Sequence, residues 1–95
     1  MWYIVSVEFT VVWKKKIEKS IKKMPYKEQQ KFAQLICDLR DKGPRQPKWP
    51  NYSKLNKNEY HCHLSYGWVA CWKHENESII IEVYYTGSRE NAPYN

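Results

Sequence analysis

Between Trp13 and Leu39 the apolar residues recur at helical spacing, and between Tyr60 and Tyr85 they alternate. That change of period restricts the chain to a helical stretch followed by a sheet. Trp13, Ile17, Ile21 and Met24 make one stripe, with Thr10 an acceptable N-cap and Lys14, Lys15, Lys16, Lys19, Lys22 and Lys23 on the far side. Pro25 ends this helix. A second helix is predicted from about Lys27 to Lys42, burying Phe32, Leu35, Ile36 and Leu39. Gly43-Pro44 stops it, because an αL-tolerant residue is followed by one that cannot continue a helix. Upstream, Trp2 to Phe9 reads as a strand, with Tyr3, Val5, Val7 and Phe9 on one face. Downstream, Arg45 to Asn58 has no period and reads as a loop. Strands follow at about Tyr60 to Leu64 and Trp68 to Lys73 around a Ser65-Tyr66-Gly67 turn, and the last runs from Ile79 to Tyr85. The predicted order is β-α-α-β-β-β, an α+β fold with a helical hairpin on a small antiparallel sheet.

A length of 95 residues fits one domain spanning residues 1–95, burying roughly 60–65 % of the surface its unfolded chain exposes. Sixteen Lys and Arg against ten Asp and Glu leave a net charge of +6. The positive charge is concentrated in residues 1–24 (six Lys, two Glu) and 44–58 (four basic residues, no acid), whereas 59–95 carry two basic and five acidic residues. Such a balance points to a polyanionic partner. No apolar run reaches the roughly 18 residues of a membrane span, and no membrane partner is expected. Met1 to Thr10 lacks the basic start of a secretory signal. Three cysteines, Cys37, Cys62 and Cys71, form no CxxC pair, so the expected location is the reducing cytoplasm.

The hairpin is where pattern becomes chemistry. A two-residue turn at Ser65-Tyr66 pairs Leu64 with Gly67, Cys62 with Val69 and Tyr60 with Cys71. One face then carries Tyr60, Cys62, Leu64, Val69 and Cys71. The other carries His61, His63, Trp68, Ala70 and Trp72. A three-residue turn would swap one strand, but the first register leaves one face uniformly apolar. On that register Cys62 and Cys71 lie opposite His61 and His63, so four zinc ligands do not converge and no metal is expected. Two histidines on one face can be a solvated surface or an acid/base pair, since imidazole titrates near neutral pH.

The element order and the C-terminal half together resemble the RelE/ParE toxin superfamily, in particular the RelE- and HigB-like mRNA interferases. The residues behind the resemblance are Lys54-Leu55 before the hairpin, Gly67-Trp68-Val69 in its second strand, and Val83-Tyr84-Tyr85-Thr86-Gly87-Ser88-Arg89 with Tyr94 five residues on. The resemblance covers nearly the whole chain. It implies the toxin of a toxin–antitoxin pair, a ribosome-dependent mRNA endonuclease that needs neither metal nor small-molecule cofactor. Its implied partners are a cognate antitoxin, the ribosome and mRNA.

Residue by residue, the resemblance places His61 and His63 where such toxins carry cationic side chains. It places Arg89 on the scissile phosphate, and Tyr94 or the second histidine at the leaving group; either histidine can be the base. Lys48, Lys54, Lys57, Trp68 and Trp72 are the expected RNA-binding residues, through phosphate contact and base stacking. This chain departs from the family in having histidines at the hairpin positions and Val69 where a second arginine is frequent. Lys54 or Lys57 is the expected substitute. Two other readings stand beside this one: a ParE-like, non-catalytic toxin that binds DNA gyrase, and a basic RNA-binding module without catalysis.

Overall fold

A computed structural model describes residues 8–75 and 77–94. Its elements run β1 (Thr10–Val12), α1 (Lys15–Lys23), α2 (Tyr26–Lys42), β2 (Ser53–Lys54), β3 (Glu59–Ser65), β4 (Trp68–His74), β5 (Ile80–Ser88) and a single 3₁₀ turn at Arg89–Asn91. The five strands form one sheet in the order β1-β5-β4-β3-β2. Neighbours are antiparallel except β1 and β5, which run parallel, so the sheet is mixed. A parallel pair needs a long connection, and here everything between Val12 and Ile80 supplies it.

Most of the first predicted strand, residues 2–7, lies outside the described residues. Glu8 and Phe9 are described but sit outside any strand. The strand observed is instead at Thr10–Val12, where a helix N-cap was expected. Val11 and Val12 prefer extended backbone, and the Thr10 N–H donates to the Ile79 carbonyl at 2.7 Å, tying this segment to the sheet. The helix therefore starts only after Lys14. Trp13 still contributes to the core from outside the helix, its ring edge-on to Phe32 at 5.7 Å. The second helix and its stop agree with the sequence: Gly43 takes φ +91° and its N–H donates to the Leu39 carbonyl.

α1 lies on β5, and α2 lies on β1 and β3. Between helices and sheet, Ile17, Met24, Phe32, Leu35 and Leu39 meet Tyr60, Cys62, Leu64, Ala70, Trp72, Ile81 and Val83. The stretch taken for a plain loop also contributes to the sheet. Ser53 and Lys54 pair with His61 and Tyr60, and the His63 N–H donates to the Pro50 carbonyl at 2.8 Å.

The hairpin register differs from the expected one. His61 pairs with Cys71, Cys62 with Ala70 and His63 with Val69, and a bulge between His63 and Ser65 absorbs Leu64. An extra residue on one strand swaps the faces of its partner. The helix-facing side therefore carries Tyr60, Cys62, Leu64, Ala70 and Trp72. The other carries His61, His63, Val69 and Cys71. The two indoles expected beside the histidines point toward the helices instead. Cys71, expected opposite the histidines, shares their face.

Candidate active site on the outer sheet face

His61 and His63 follow each other at period two on β3, so their rings stand on the sheet face away from the helices, centroids 5.8 Å apart. Both are only 8 % exposed, because aromatic side chains and the C-terminal segment cover this face. A second register irregularity, between Cys71 and Trp72 on β4, lets β5 place the consecutive Tyr84 and Tyr85 over Cys71. Tyr84 Oη donates to Glu59 Oε1 at 2.7 Å, and Glu59 lies two residues before His61 on the same face. Burial pushes the Cys71 thiol up to about 12 and the Tyr84 phenol well above its usual value. Among the described residues no group of three or more His, Cys, Asp and Glu is placed to hold a metal ion.

β5 ends at Ser88, and the chain turns at once. The Arg89 N–H donates to the Gly67 carbonyl at 2.8 Å, which ties the end of β5 to the hairpin turn. The 3₁₀ turn and the buried Ala92 then bring Tyr94 back across the sheet onto His61, ring centroids 4.4 Å apart. Tyr94 Oη is buried without a hydrogen-bond partner among the described residues.

The environment sets the protonation of these groups. Burial, and after it the neighbouring His63, lowers the His61 pKa below the ordinary imidazole value. The Ser53 backbone offsets part of that, and Ser53 Oγ lies 2.9 Å from His61 Nδ1, a hydrogen bond whose donor is set by the ring tautomer. Burial lowers His63 as well, with the positive charge of Arg89 adding to the effect. Burial raises the Tyr94 phenol, opposed in part by Arg89. Near neutral pH the arrangement therefore holds two uncharged imidazoles, able to accept protons, and one protonated phenol, able to give one. Arg89 is close enough to act electrostatically on both His63 and Tyr94.

The four residues proposed for chemistry from the sequence, His61, His63, Arg89 and Tyr94, come together here. The expected RNA-binding residues divide. Trp72 is fully buried, its Nε1–H donating to the Pro44 carbonyl at 2.9 Å, so it cannot stack on a base. Its place on β4 opposite Tyr60 turns it inward. Trp68 is half-buried against the core and also lines a cleft at the hairpin-turn end of the sheet. Lys54 pairs with Tyr60, so it shares the helix-facing side, its Nζ 5.7 Å from the Tyr60 ring centroid. It cannot replace the cation absent at Val69. Lys48 lies near α2, in a cleft with Asp38 and Lys42. Lys57 is exposed in the turn between β2 and β3. Sequence reasoning missed Ser53, for which the chain offers no signal, since only the pairing of β2 with β3 brings it to His61. It also missed Tyr66, an exposed aromatic at a turn tip, which is itself a visible signal.

No protein-family model matches the chain, and no curated protein matches it significantly. Solved structures do. The archaeal RelE of the RelE–RelB complex from Pyrococcus horikoshii superposes with a TM-score of 0.71 at 14 % identity, over 90 % of this chain and 99 % of that one. A mutant of E. coli toxin RelE in the free state gives 0.69 at 11 % identity, over 92 % and 90 %. E. coli YafQ gives 0.69 at 16 % identity, over 87 % and 96 %. At this identity the likeness rests on backbone course rather than on shared side chains, and it extends over both helices and the sheet. This chain has the RelE-like toxin fold.

Proposed function

We propose that the chain is the toxin of a toxin–antitoxin pair and that it cuts mRNA on the ribosome. The observation that carries this reading is the gathering of His61, His63 and Tyr94 on one sheet face, with the imidazoles held uncharged and the charge of Arg89, in the turn after β5, acting on His63. RNA can be cut without a metal when three groups converge: a base for the 2′-hydroxyl, a cation for the phosphate and an acid for the departing oxygen. One imidazole takes the 2′-hydroxyl proton while the 2′-oxygen bonds to the adjacent phosphorus. Arg89 meets the charge growing on the phosphate oxygens, for which its planar fork is suited. The bond from phosphorus to the 5′-oxygen then breaks, and that oxygen takes a proton from Tyr94, the protonated group of the set. The products are a 2′,3′-cyclic phosphate and a free 5′-hydroxyl.

The fold likeness supports the toxin role, and solved relatives of this fold occur in complexes with RelB antitoxins. An antitoxin segment carrying acidic residues suits the +6 charge of this chain. The test is 5′-end mapping of cellular mRNA shortly after the chain is induced alone, beside His63→Ala and Arg89→Ala. New ends inside translated codons, lost in both variants, are expected. Growth arrest with intact mRNA would refute the endonuclease and favour a gyrase-type target.

A further inference from the structure

The β3–β4 turn presents an aromatic ring that packing does not account for. Tyr66 is 86 % exposed. Single exposed aromatics are common, but the surroundings of this one are organised. The Arg89 guanidinium lies 5.7 Å from the ring centroid, in the range of cation–π contact. Tyr66, Gly67, Trp68, Ser88, Arg89 and Glu90 line a cleft of about 420 Å³, a size typical of small-ligand sites. Its frame is fixed by hydrogen bonds, from the Arg89 N–H to the Gly67 carbonyl at 2.8 Å and from Tyr85 Oη to the Ser88 carbonyl at 2.6 Å. A Cβ placed on Gly67 would meet nothing within 4 Å, so the turn opens onto free space. A flat exposed ring, a half-buried indole and a guanidinium thus surround one cleft, and its arginine also acts on His63.

We infer that this cleft is a nucleobase subsite, in which Tyr66 stacks one base of single-stranded RNA beside the phosphate that Arg89 holds. The identity of the ligand rests on the RNA-cleaving reading above. Every base has a π-face, so a tyrosine platform takes any of them, and an adjacent guanidinium reaches the backbone of the same nucleotide. Tyr66 would set the register of the strand, deciding which phosphate lies over the histidines.

The probe is a fluorescein-labelled 2′-O-methyl tetranucleotide, which lacks the attacking hydroxyl, with four partners each abasic at one position. Binding is read by anisotropy. For the unaltered chain one abasic position is expected to weaken binding roughly 5- to 150-fold. Tyr66→Ala should weaken binding of the intact probe by a similar factor and be indifferent to that abasic position, whereas Tyr66→Phe should bind as the unaltered chain does. Exposure of Tyr66 keeps these variants folded. Unchanged affinity in Tyr66→Ala, equal affinity for all abasic probes, or no measurable binding by the unaltered chain would each overturn the subsite. The 5′-end mapping reads the other question separately. Ends that appear with a Tyr66→Ala affinity left intact refute only the subsite. Position-specific stacking without new ends refutes only the endonuclease.

Discussion

The buried phenol of Tyr94 separates chemistry from stability within a single atom. Its hydroxyl has no hydrogen-bond partner among the described residues, so Tyr94→Phe should leave the melting temperature unchanged or raised, since a buried unsatisfied group is removed. If Tyr94 protonates the leaving group, the same variant should lower cleavage by about 10²-fold or more. Thermal melting and 5′-end yield check the two halves. Ser53→Ala removes the 2.9 Å side-chain contact to His61 Nδ1, so the His61 tautomer balance should shift, as read by the imidazole nitrogen chemical shifts in NMR. The pH dependence of stability has a definite sign. Both histidines have folded pKa values below the unfolded one, near 6.5, so the unfolded chain binds more protons on acidification. Their contribution is complete above about pH 6.5 and is lost as pH falls through the lower folded values. Melting temperature should therefore drop between pH 8 and pH 5, and His61→Asn/His63→Asn should flatten that drop. At this scale His61 and His63 were legible because imidazole chemistry is intrinsic to the side chain, and Arg89 and Tyr94 only through the resemblance to the RelE/ParE toxins. Ser53 was not, because a serine acquires a role only from the neighbour it is given.

The elements were legible where local rules decide and illegible where pairing does. Gly43 was readable as a stop, and its cost can be measured. It has φ +91°, and a Cβ there would lie 2.9 Å from Phe9 Cε1. Gly43→Ala should therefore destabilise by at least ~1 kcal/mol in denaturant melts. The hairpin strands were also readable, each within a residue or two of its end. Their mutual register was not, because a bulge at Leu64 adds a residue to one strand, and no local propensity announces it. That one residue moves Trp72 from a presumed RNA surface into the core. Trp72→Ala should accordingly cost about 3–5 kcal/mol of stability. The folded fraction should keep its affinity for the tetranucleotide, as measured by anisotropy at a temperature well below the melt. The first strand shows the reverse case. Its valines are extended as their type prefers, but the helical stripe that includes Trp13 hid them, since a stripe of period 3.6 does not say where its first turn begins.

At the scale of the whole molecule, charge and fold divide the work. The lysines of α1 are exposed on the outside of the helix that covers β5, whereas the histidines lie on the opposite sheet face. The Lys19→Glu/Lys22→Glu variant should thus melt as the parent does and bind the tetranucleotide with little change. It should yield fewer mRNA ends in cells if α1 faces ribosomal RNA, and its deficit in binding purified ribosomes should shrink as ionic strength rises, because salt screens the lysine contacts it lacks. The amino-acid sequence alone determined both helices, the hairpin strands, the basic character and the histidine pair, whereas Arg89 and Tyr94 came from the family resemblance. The former follow from side-chain chemistry and from periods of two and 3.6, which a single chain carries within itself. The tertiary structure decided the parallel pairing of β1 with β5, the register that sets the histidines beside Cys71 and turns Trp72 inward, the fold-back of Tyr94 onto His61, and the seat of Ser53. Each of these is a contact between segments distant in sequence, fixed by what the other side of the contact offers, and so none has a signature in either segment read by itself.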